Sequence, residues 1–354
     1  MVSNLDDPQT YQRLDPSGMR HHLRALPEQC QKAWQKALQF ELPPRYSQVN
    51  KAIVLGMGGS AIGGALLRSL VTLENRLPVS VHRTYGLPPF LDEKTLLIAS
   101  SYSGNTEETL SSFVESLPTA AKKLVLTGGG QLRALAAKEG IPVFAIDYQA
   151  PPRAAFAHSF IPLLGIFQKL GLVEDKSADF EETIRVLNKL SVQLNESVPV
   201  ASNPAKQLAT RLSGKVAVIY GAGILSEVAQ RWKTQVNENS KDWAFYELFP
   251  ELNHNAIVGY QFPSEVKGKI LVVLLHSSWL HPRISHRYRF TAEILTKAGI
   301  GHELMEALGD SPLAQIMNLI LLGDYVSFYL AMLSDVDPTP VASIDYLKKR
   351  LAEL

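Results

Sequence analysis

The sequence predicts an α/β protein with two doubly wound parallel-sheet domains in tandem. Short apolar runs alternate with helical patterns along most of the chain, as in parallel sheets with crossover helices. A strand–glycine turn–helix unit occurs twice, at 54–67 and 218–230. In each half a later apolar run ends in serines, at 98–103 and 274–278. We therefore interpret the chain as a degenerate duplication of one α/β domain.

The individual elements follow from apolar runs and helix-breaking residues. Residues 1–45 are expected to form an N-terminal helical extension, with one helix from Pro27 to about Phe40, ended by Pro43-Pro44. Pro199 and Asn203-Pro204 break the chain, so we predict a first domain at 46–200 and a second at 201–354. Strands are predicted at 52–55, 79–83, 96–99, 123–127, 143–146, 216–220, 269–275 and 302–306, and later helices at 179–194, 226–236, 313–334 and 341–354.

Composition excludes several classes of protein. The 354 residues carry a net charge of +1 without a basic run, which disfavours nucleic acid and anionic membranes as partners. The single cysteine, Cys30, cannot form an internal disulfide, and the polar N-terminus does not resemble a signal peptide. We therefore expect a cytoplasmic protein. The apolar run Ala314–Leu333 contains Gln315, Asn318 and Asp324, so we expect a buried core helix rather than a membrane span.

The first glycine turn reads GMGGSAIGG, with five glycines within nine residues. Its spacing matches a dinucleotide fingerprint, but the next strand, VSVHRTYG, lacks the acid that would hold ribose hydroxyls. Arg83 could serve an NADP variant, so an oxidoreductase stays open as an alternative. Glycine can simply let a helix start close to a strand, which explains Gly56 well, but it explains five glycines less well because each free glycine costs stability. We expect that close backbone approach to a ligand accounts for the cluster.

A serine-rich loop, SSYSGNTEET, follows the buried strand predicted at 96–99 and precedes a helix. Hydroxyl groups, a glycine and the unpaired N–H groups of a helix start together form an anion cradle of phosphate size. Ordinary helix capping by Asn105 or Thr106 explains part of the pattern. The chain has no G-x-x-x-x-G-K-[ST] motif, so a phosphate monoester suits the loop better than a nucleoside triphosphate.

Six segments carry a resemblance to a known family. GMGGSAIGG, SYSGNTEET, PPRAA, NENSK, ELNHN and the tail DPTPVASIDYLKKRL resemble the bifunctional phosphoglucose/phosphomannose isomerase family, within the sugar isomerase (SIS) domain superfamily. The matches occur in the family's order from about residue 50 to the C-terminus. The resemblance implies SIS-type, flavodoxin-like domains, aldose–ketose isomerisation of sugar 6-phosphates, and no metal or redox cofactor.

The same resemblance implies roles for individual residues. Glu238, in Asn-Glu-Asn, matches the family's catalytic base, and Arg153 matches the arginine that stabilises the enediolate. His254, in Asn-His-Asn, matches the ring-opening histidine, which in that family comes from the neighbouring subunit of a homodimer. Lys348 or Lys349 would supply the C-terminal lysine, and the register favours Lys348. The phosphate binders would be Gly58, Gly59, Ser60, Ser101, Ser103 and Thr106.

Without the resemblance, Glu238 and His254 would be ordinary residues of two asparagine-rich loops. The aromatic segment between them, Trp243–Phe249, is expected to serve interface or core packing. A non-catalytic phosphosugar-binding module is the main alternative, although it would not need Glu238, Arg153 and His254. An amide-transferring or deaminating enzyme is disfavoured because no N-terminal nucleophile domain precedes the two halves.

Overall fold

The computed structural model describes residues 4–353 and has the predicted α/β class, with two separate parallel sheets. Its strands are β1 Lys51–Leu55, β2 Val79–His82, β3 Thr95–Ser101, β4 Lys122–Thr127, β5 Val143–Ala145, β6 Val216–Gly221, β7 Ala244–Leu248, β8 Ile270–His276 and β9 Gly301–Glu306. Its helices are α1 Pro8–Leu14, α2 Met19–Arg24, α3 Leu26–Gln39, α4 Gly58–Glu74, α5 Glu107–Ser116, α6 Gly130–Lys138, α7 Ala157–Lys169, α8 Ser177–Leu194, α9 Pro204–Leu212, α10 Ser226–Gln235, α11 Pro282–Ala298, α12 Pro312–Leu333 and α13 Ala342–Leu351.

The first sheet has the order β2-β1-β3-β4-β5, and all of its strands are parallel. Every residue of β3 is buried, which accounts for its continuous apolar run instead of an alternating pattern. The chain passes from β1 to β2 on one side and then crosses to β3 on the other. The crevice beyond the carboxyl ends of β1 and β3 is therefore the topological switch point, where open α/β sheets bind ligands.

The second sheet has the order β7-β6-β8-β9 and repeats the topology of the first four strands. This repetition confirms the predicted duplication of one α/β pattern. Strand β7 was not predicted from the sequence: the segment was interpreted only as interface or core packing. Its two aromatic residues lie on opposite faces: Phe245 is 45% exposed and Tyr246 is half-buried. Such a strand has neither a continuous apolar run nor a polar outer face.

The described residues form two compact units. The β1–β5 unit comprises Ala25–Arg185 and Asp310–Ala314, and the β6–β9 unit comprises 4–24, Val186–Gly309 and 315–353. These units divide the chain differently from the predicted domains, whose boundaries at 45/46 and 200/201 stay a proposal. The reason is side-chain packing. Lys206 is buried and donates to the carbonyl of Leu5 at 2.6 Å, while Tyr11 stacks on Phe328.

Helix α12 is long and apolar enough to cross a membrane by length and composition alone. However, 89% of its most apolar window is buried inside the protein. Its polar residues have partners within the β6–β9 unit: Asp324 accepts from Arg231 at 2.7 Å, and Asn318 accepts from the Leu308 amide at 3.0 Å. The helix is therefore a core helix, as its sequence predicts.

Candidate functional site

The glycine turn and the serine loop lie at the switch point of the β1–β5 unit. The glycine turn directly follows β1, the serine loop follows β3, and these two strands are neighbours in the sheet. Helices α4 and α5 begin at these turns, and within the described chain neither has a side-chain cap on its first N–H groups. The two helix starts consequently present backbone donors at one edge of the sheet, which is the physical basis of an anion site.

The glycines of the turn fall into two groups: some are required by close packing, and others leave the backbone open to approach. A Cβ atom on Gly56, Gly63 or Gly64 would come within 3.0 Å of Ser100, Ser159 or Val54 atoms, respectively. Close packing therefore explains these three positions. The predicted start of a helix close to a strand accounts for Gly56, whereas the expectation of ligand contact is wrong for Gly63 and Gly64.

Gly58 and Gly59 remain the open part of the turn. Gly58 has a φ of +51° and its Cβ position meets no described atom within 4 Å, while that of Gly59 meets only ordinary contacts. Ser60 is half-buried at the start of α4. The backbone of the glycine pair can therefore be approached closely.

The serine loop is held by its own side chains. The hydroxyl groups of Ser101 and Thr106 are hydrogen-bonded at 2.8 Å, and Ser101 Oγ also accepts from the Gly104 amide at 3.1 Å. Ser103 is exposed, and its Oγ accepts from the Asn105 amide at 3.2 Å. Thr106 takes the N-cap position of α5 without a side-chain capping bond to the described helix, so capping does not occupy its hydroxyl.

Gly104 is required by close backbone packing. Its φ is +70°, and a Cβ atom there would lie 1.8 Å from the carbonyl oxygen of Gly129. No side chain fits at this point without moving the loop that follows β4. The serine loop is therefore fixed against the neighbouring strand ends.

The PPRAA segment, residues 151–155, lies beside both loops and is called the arginine block. Arg153 is 5% exposed and belongs to a short 3₁₀ helix, Pro152–Ala155. The Cβ position of Gly59 is 4.0 Å from the Cα atom of Arg153. Among the residues named from the sequence, the structure therefore brings the glycine turn, the serine loop and Arg153 together in the β1–β5 unit.

Two residues that sequence reasoning missed connect these parts. The Tyr102 hydroxyl donates to the Tyr148 carbonyl at 2.5 Å and accepts from the Ala150 amide at 3.0 Å, which ties the serine loop to the chain leading into the arginine block. Ser159 Oγ donates to the Gly59 carbonyl at 3.0 Å. Tyr102 lies inside the serine motif, but nothing in its spacing signals these partners.

His158 lies in the first turn of α7, which follows the arginine block in the chain. It is 9% exposed, stacks on Tyr148 at 4.9 Å between ring centroids, and its Nε2 has no hydrogen-bond partner among the described residues. Burial, assisted by the charge of Lys36, lowers the pKa of His158 to about 4. The imidazole is therefore neutral at pH 7 and packs as an uncharged ring on Tyr148, whose carbonyl accepts the hydrogen bond from Tyr102.

The corresponding serines of the β6–β9 unit are occupied by the protein itself. Ser277 Oγ donates to Gln315 Oε1 at 2.5 Å, and Gln315 Nε2 donates to Ser278 Oγ at 2.6 Å. Gly221 is required by close packing, because a Cβ atom there would lie 2.6 Å from the Leu225 carbonyl. The second copy of the motif is thus filled by packing, and the first copy is the better candidate for a phosphate.

Glu238 lies in a π-helical turn, Val236–Ser240, that continues helix α10. The expected loop is therefore wrong; the segment ends only at Lys241, which has a φ of +62°. Asn239 Nδ2 donates to Ser327 Oγ at 2.9 Å, and Asn237 Nδ2 donates to the Asp242 carbonyl at 2.8 Å. The two flanking amides fix the backbone of the turn and leave Glu238 half-buried between them. Single π-helical turns often occur at functional sites.

His254 is exposed at the end of a short 3₁₀ helix, Glu251–His254, after β7. Its neighbour Asn253 donates to Thr291 Oγ1 at 2.9 Å and accepts from Arg287 at 3.2 Å. Asn255 Nδ2 donates to Glu251 Oε1 at 3.0 Å. Asn253 therefore holds the segment against α11, whereas the Asn255 bond lies within the segment, and His254 stays exposed.

Lys348 and Lys349 are both exposed on α13, none of whose described residues is buried. The preference for Lys348 stays a prediction. Glu238, His254 and both lysines belong to the β6–β9 unit, whereas Arg153 and the two loops belong to the β1–β5 unit.

The topology and loop pair define the class of the protein: a tandem SIS-type α/β protein. A solved structure of a hypothetical protein from Thermus thermophilus has this fold, with a TM-score of 0.72 at 18% identity, covering 98% of this chain and 92% of that chain. Residues 201–351 match the model for the bacterial phospho-glucose isomerase C-terminal SIS domain.

Curated relatives identify the family. The chain is 44% identical to the bifunctional phosphoglucose/phosphomannose isomerase of Caldicellulosiruptor bescii, over 93% of this chain and 97% of the relative. It is 34% identical to the protein of the same name from Aquifex aeolicus, over 85% and 90% of the two chains. The chain therefore belongs to the bifunctional phosphoglucose/phosphomannose isomerase family.

Proposed function

We propose that the protein interconverts glucose 6-phosphate, and also mannose 6-phosphate, with fructose 6-phosphate. The observation that carries this proposal is family membership along nearly the whole chain. The glycine turn and the serine loop at the topological switch point agree with it. The phosphate would lie against Gly58, Gly59 and Ser60 on one side and Ser101, Ser103 and Thr106 on the other. Two uncapped helix starts supply the N–H groups and positive dipole ends that favour an anion there.

The reaction moves a proton between C1 and C2 of the open sugar through a cis-enediol. Glu238 would remove and return this proton as the general base. The Arg153 guanidinium would stabilise negative charge on the developing enediolate oxygen, and Lys348 would add a second positive charge. Rotation about the C2–C3 bond presents either face of C2 to the same base, so one site can serve both epimers.

Ring opening requires a proton carrier near neutral pH, and His254 has that chemistry. We propose that His254 acts in the neighbouring subunit of a homodimer. Two observations support this: His254 is exposed in the single chain, and the nearby edge strand β7 begins beside Trp243, which is 74% exposed, and carries Phe245, which is 45% exposed. Exposed aromatic residues along an unpaired strand edge are typical of an interaction surface.

We further propose a cytoplasmic location, consistent with a single, buried cysteine in its free thiol form. A non-catalytic phosphosugar-binding module would keep the two loops. It would not account for a glutamate in a π-helical turn whose flanking asparagines are hydrogen-bonded to Asp242 and Ser327.

The experiment that tests the activity is a coupled assay with fructose 6-phosphate as substrate, in which glucose 6-phosphate and mannose 6-phosphate are measured separately. We expect both products from the wild-type chain. Absence of turnover by a folded wild type would leave the binding module as the better hypothesis.

Mixing two inactive variants tests the shared site. In a mixed dimer of Glu238→Gln and His254→Ala, one site lacks both groups and the other keeps both. Random exchange between symmetric dimers would therefore restore about one quarter of wild-type activity. No recovery after verified subunit exchange would show that Glu238 and His254 serve the same subunit.

A further inference from the structure

A groove of about 620 Å³ lies in the β6–β9 unit and is lined by α11, β8 and β9. Its described lining includes none of the candidate isomerase residues. His276 ends β8, Glu306 ends β9, and Ser285 lies in the first turns of α11. His276 Nε2 is 3.0 Å from Ser285 Oγ, and His276 Nδ1 is 2.7 Å from Glu306 Oε2. A hydroxyl, an imidazole and a carboxylate thus form one continuous hydrogen-bonded chain.

Each member of this chain has a distinct chemical role. A nucleophile and its base lie within about 2.6–3.2 Å of each other, and a third group orients the base. If Nδ1–H donates to Glu306, then Nε2 is the acceptor for the Ser285 hydroxyl proton. The sheet fixes this pair, because His276 and Glu306 are register partners in β8 and β9. The ring of Tyr288 packs against the imidazole at 5.3 Å, in an edge-to-face arrangement.

We propose that Ser285, His276 and Glu306 form a hydrolytic triad that cleaves short-chain, uncharged carboxylic esters. Ser285 Oγ attacks the ester carbonyl carbon while its proton passes to His276 Nε2. The ester C–O bond breaks, and the departing alcohol oxygen takes that proton. Water then attacks the acyl-serine, giving one proton to His276. The Ser285–acyl bond breaks, the carboxylic acid leaves, and Ser285 regains its proton.

The rest of the groove defines the substrate class. Ala292 and Leu304 provide apolar lining for a small acyl chain, and Leu304 is 48% exposed. Arg289 lies one helical turn after Ser285 and lines the same groove, where its guanidinium can stabilise the oxyanion. Carboxylates of Glu293 and Glu306 in the same lining disfavour an anionic ester.

The test uses the full chain with p-nitrophenyl acetate and p-nitrophenyl butyrate. Replacing Ser285 by Ala or His276 by Asn should lower the protein-dependent rate by about 100-fold or more. Glu306→Gln should lower kcat and shift the pH–rate profile, because the imidazolium loses its stabilising carboxylate. His302→Asn is the matched control, since this histidine lines the same groove but hydrogen-bonds, among the described residues, only to the nearby Ile300 carbonyl. The ester hydrolysis rate of this variant should equal that of the wild type.

A fluorophosphonate probe gives an independent readout on the wild type, with an expected adduct on Ser285 located by peptide mass spectrometry. Isomerase activity of Ser285→Ala should equal that of the wild type, which shows that the variant is folded. The proposal is overturned if the wild type neither hydrolyses the esters nor labels at Ser285. It is equally overturned if Ser285→Ala retains the hydrolysis.

Discussion

Acid should destabilise the protein through His158. Its imidazole is buried, stacked on Tyr148, and has a pKa lowered to about 4 from the ordinary 6.5, with burial as the largest cause and the Lys36 charge as the second. Because the folded-state pKa is depressed, the unfolded chain binds the proton more readily. The stabilising contribution is complete above pH 6.5 and is lost as the pH falls towards 4. At pH 4.5 the free energy of unfolding is therefore lower than at neutral pH by about 2.5 kcal/mol.

Urea denaturation at pH 7.5 and pH 4.5 measures this effect. His158→Phe keeps an aromatic ring against Tyr148 and removes the titrating group, so its stability loss between the two pH values should be smaller than that of the wild type by about 2.5 kcal/mol. The control is His286→Phe at an exposed position, which should keep the wild-type difference. Equal losses for the wild type and His158→Phe would refute the assignment of the acid sensitivity to this buried ring.

Two further predictions concern the close packing of Gly104 and the burial of an ion pair. Gly104→Ala and Gly86→Ala both place a side chain at positive φ, at a cost of about 1–2 kcal/mol, but only Gly104 meets a backbone carbonyl, at 1.8 Å. In urea titrations, Gly104→Ala should therefore lose at least about 1–3 kcal/mol more than Gly86→Ala; equal losses would contradict the close packing of the serine loop. Asp324→Asn removes the carboxylate facing buried Arg231 and should cost about 3–5 kcal/mol, whereas Asp335→Asn, in an exposed ion pair, should cost about 0–1 kcal/mol. Similar losses for the two aspartates would show that burial does not control the strength of these pairs.

The sequence predicted the parts of the fold that depend on local patterns. Buried parallel strands such as β3 are continuous apolar runs, and a turn such as that at Gly58 follows β1 directly. Strand β7 was missed because it lies at a sheet edge with exposed Phe245, so its side chains do not follow a simple buried pattern.

Tertiary contacts explain what the sequence could not predict about the site. The asparagines around Glu238 indicate turns by propensity, but Asn239 is bonded to Ser327, far along the chain, and the segment stays helical. The serines after β8 resemble those after β3, yet Gln315 occupies their hydroxyls. Such partners are set by long-range packing, which motif spacing does not record.

The most direct test of the proposed mechanism is the kcat of Glu238→Gln for conversion of fructose 6-phosphate. Glutamine keeps the shape of the side chain but cannot accept the C1 or C2 proton, so we expect a loss of about 100-fold or more for both epimeric products. Glu139→Gln, exposed at the C-terminal end of α6 and away from the strand ends that carry the two loops, is the matched control and should keep wild-type turnover. A Glu238→Gln enzyme that retains wild-type kcat would contradict the assignment of Glu238 as the base.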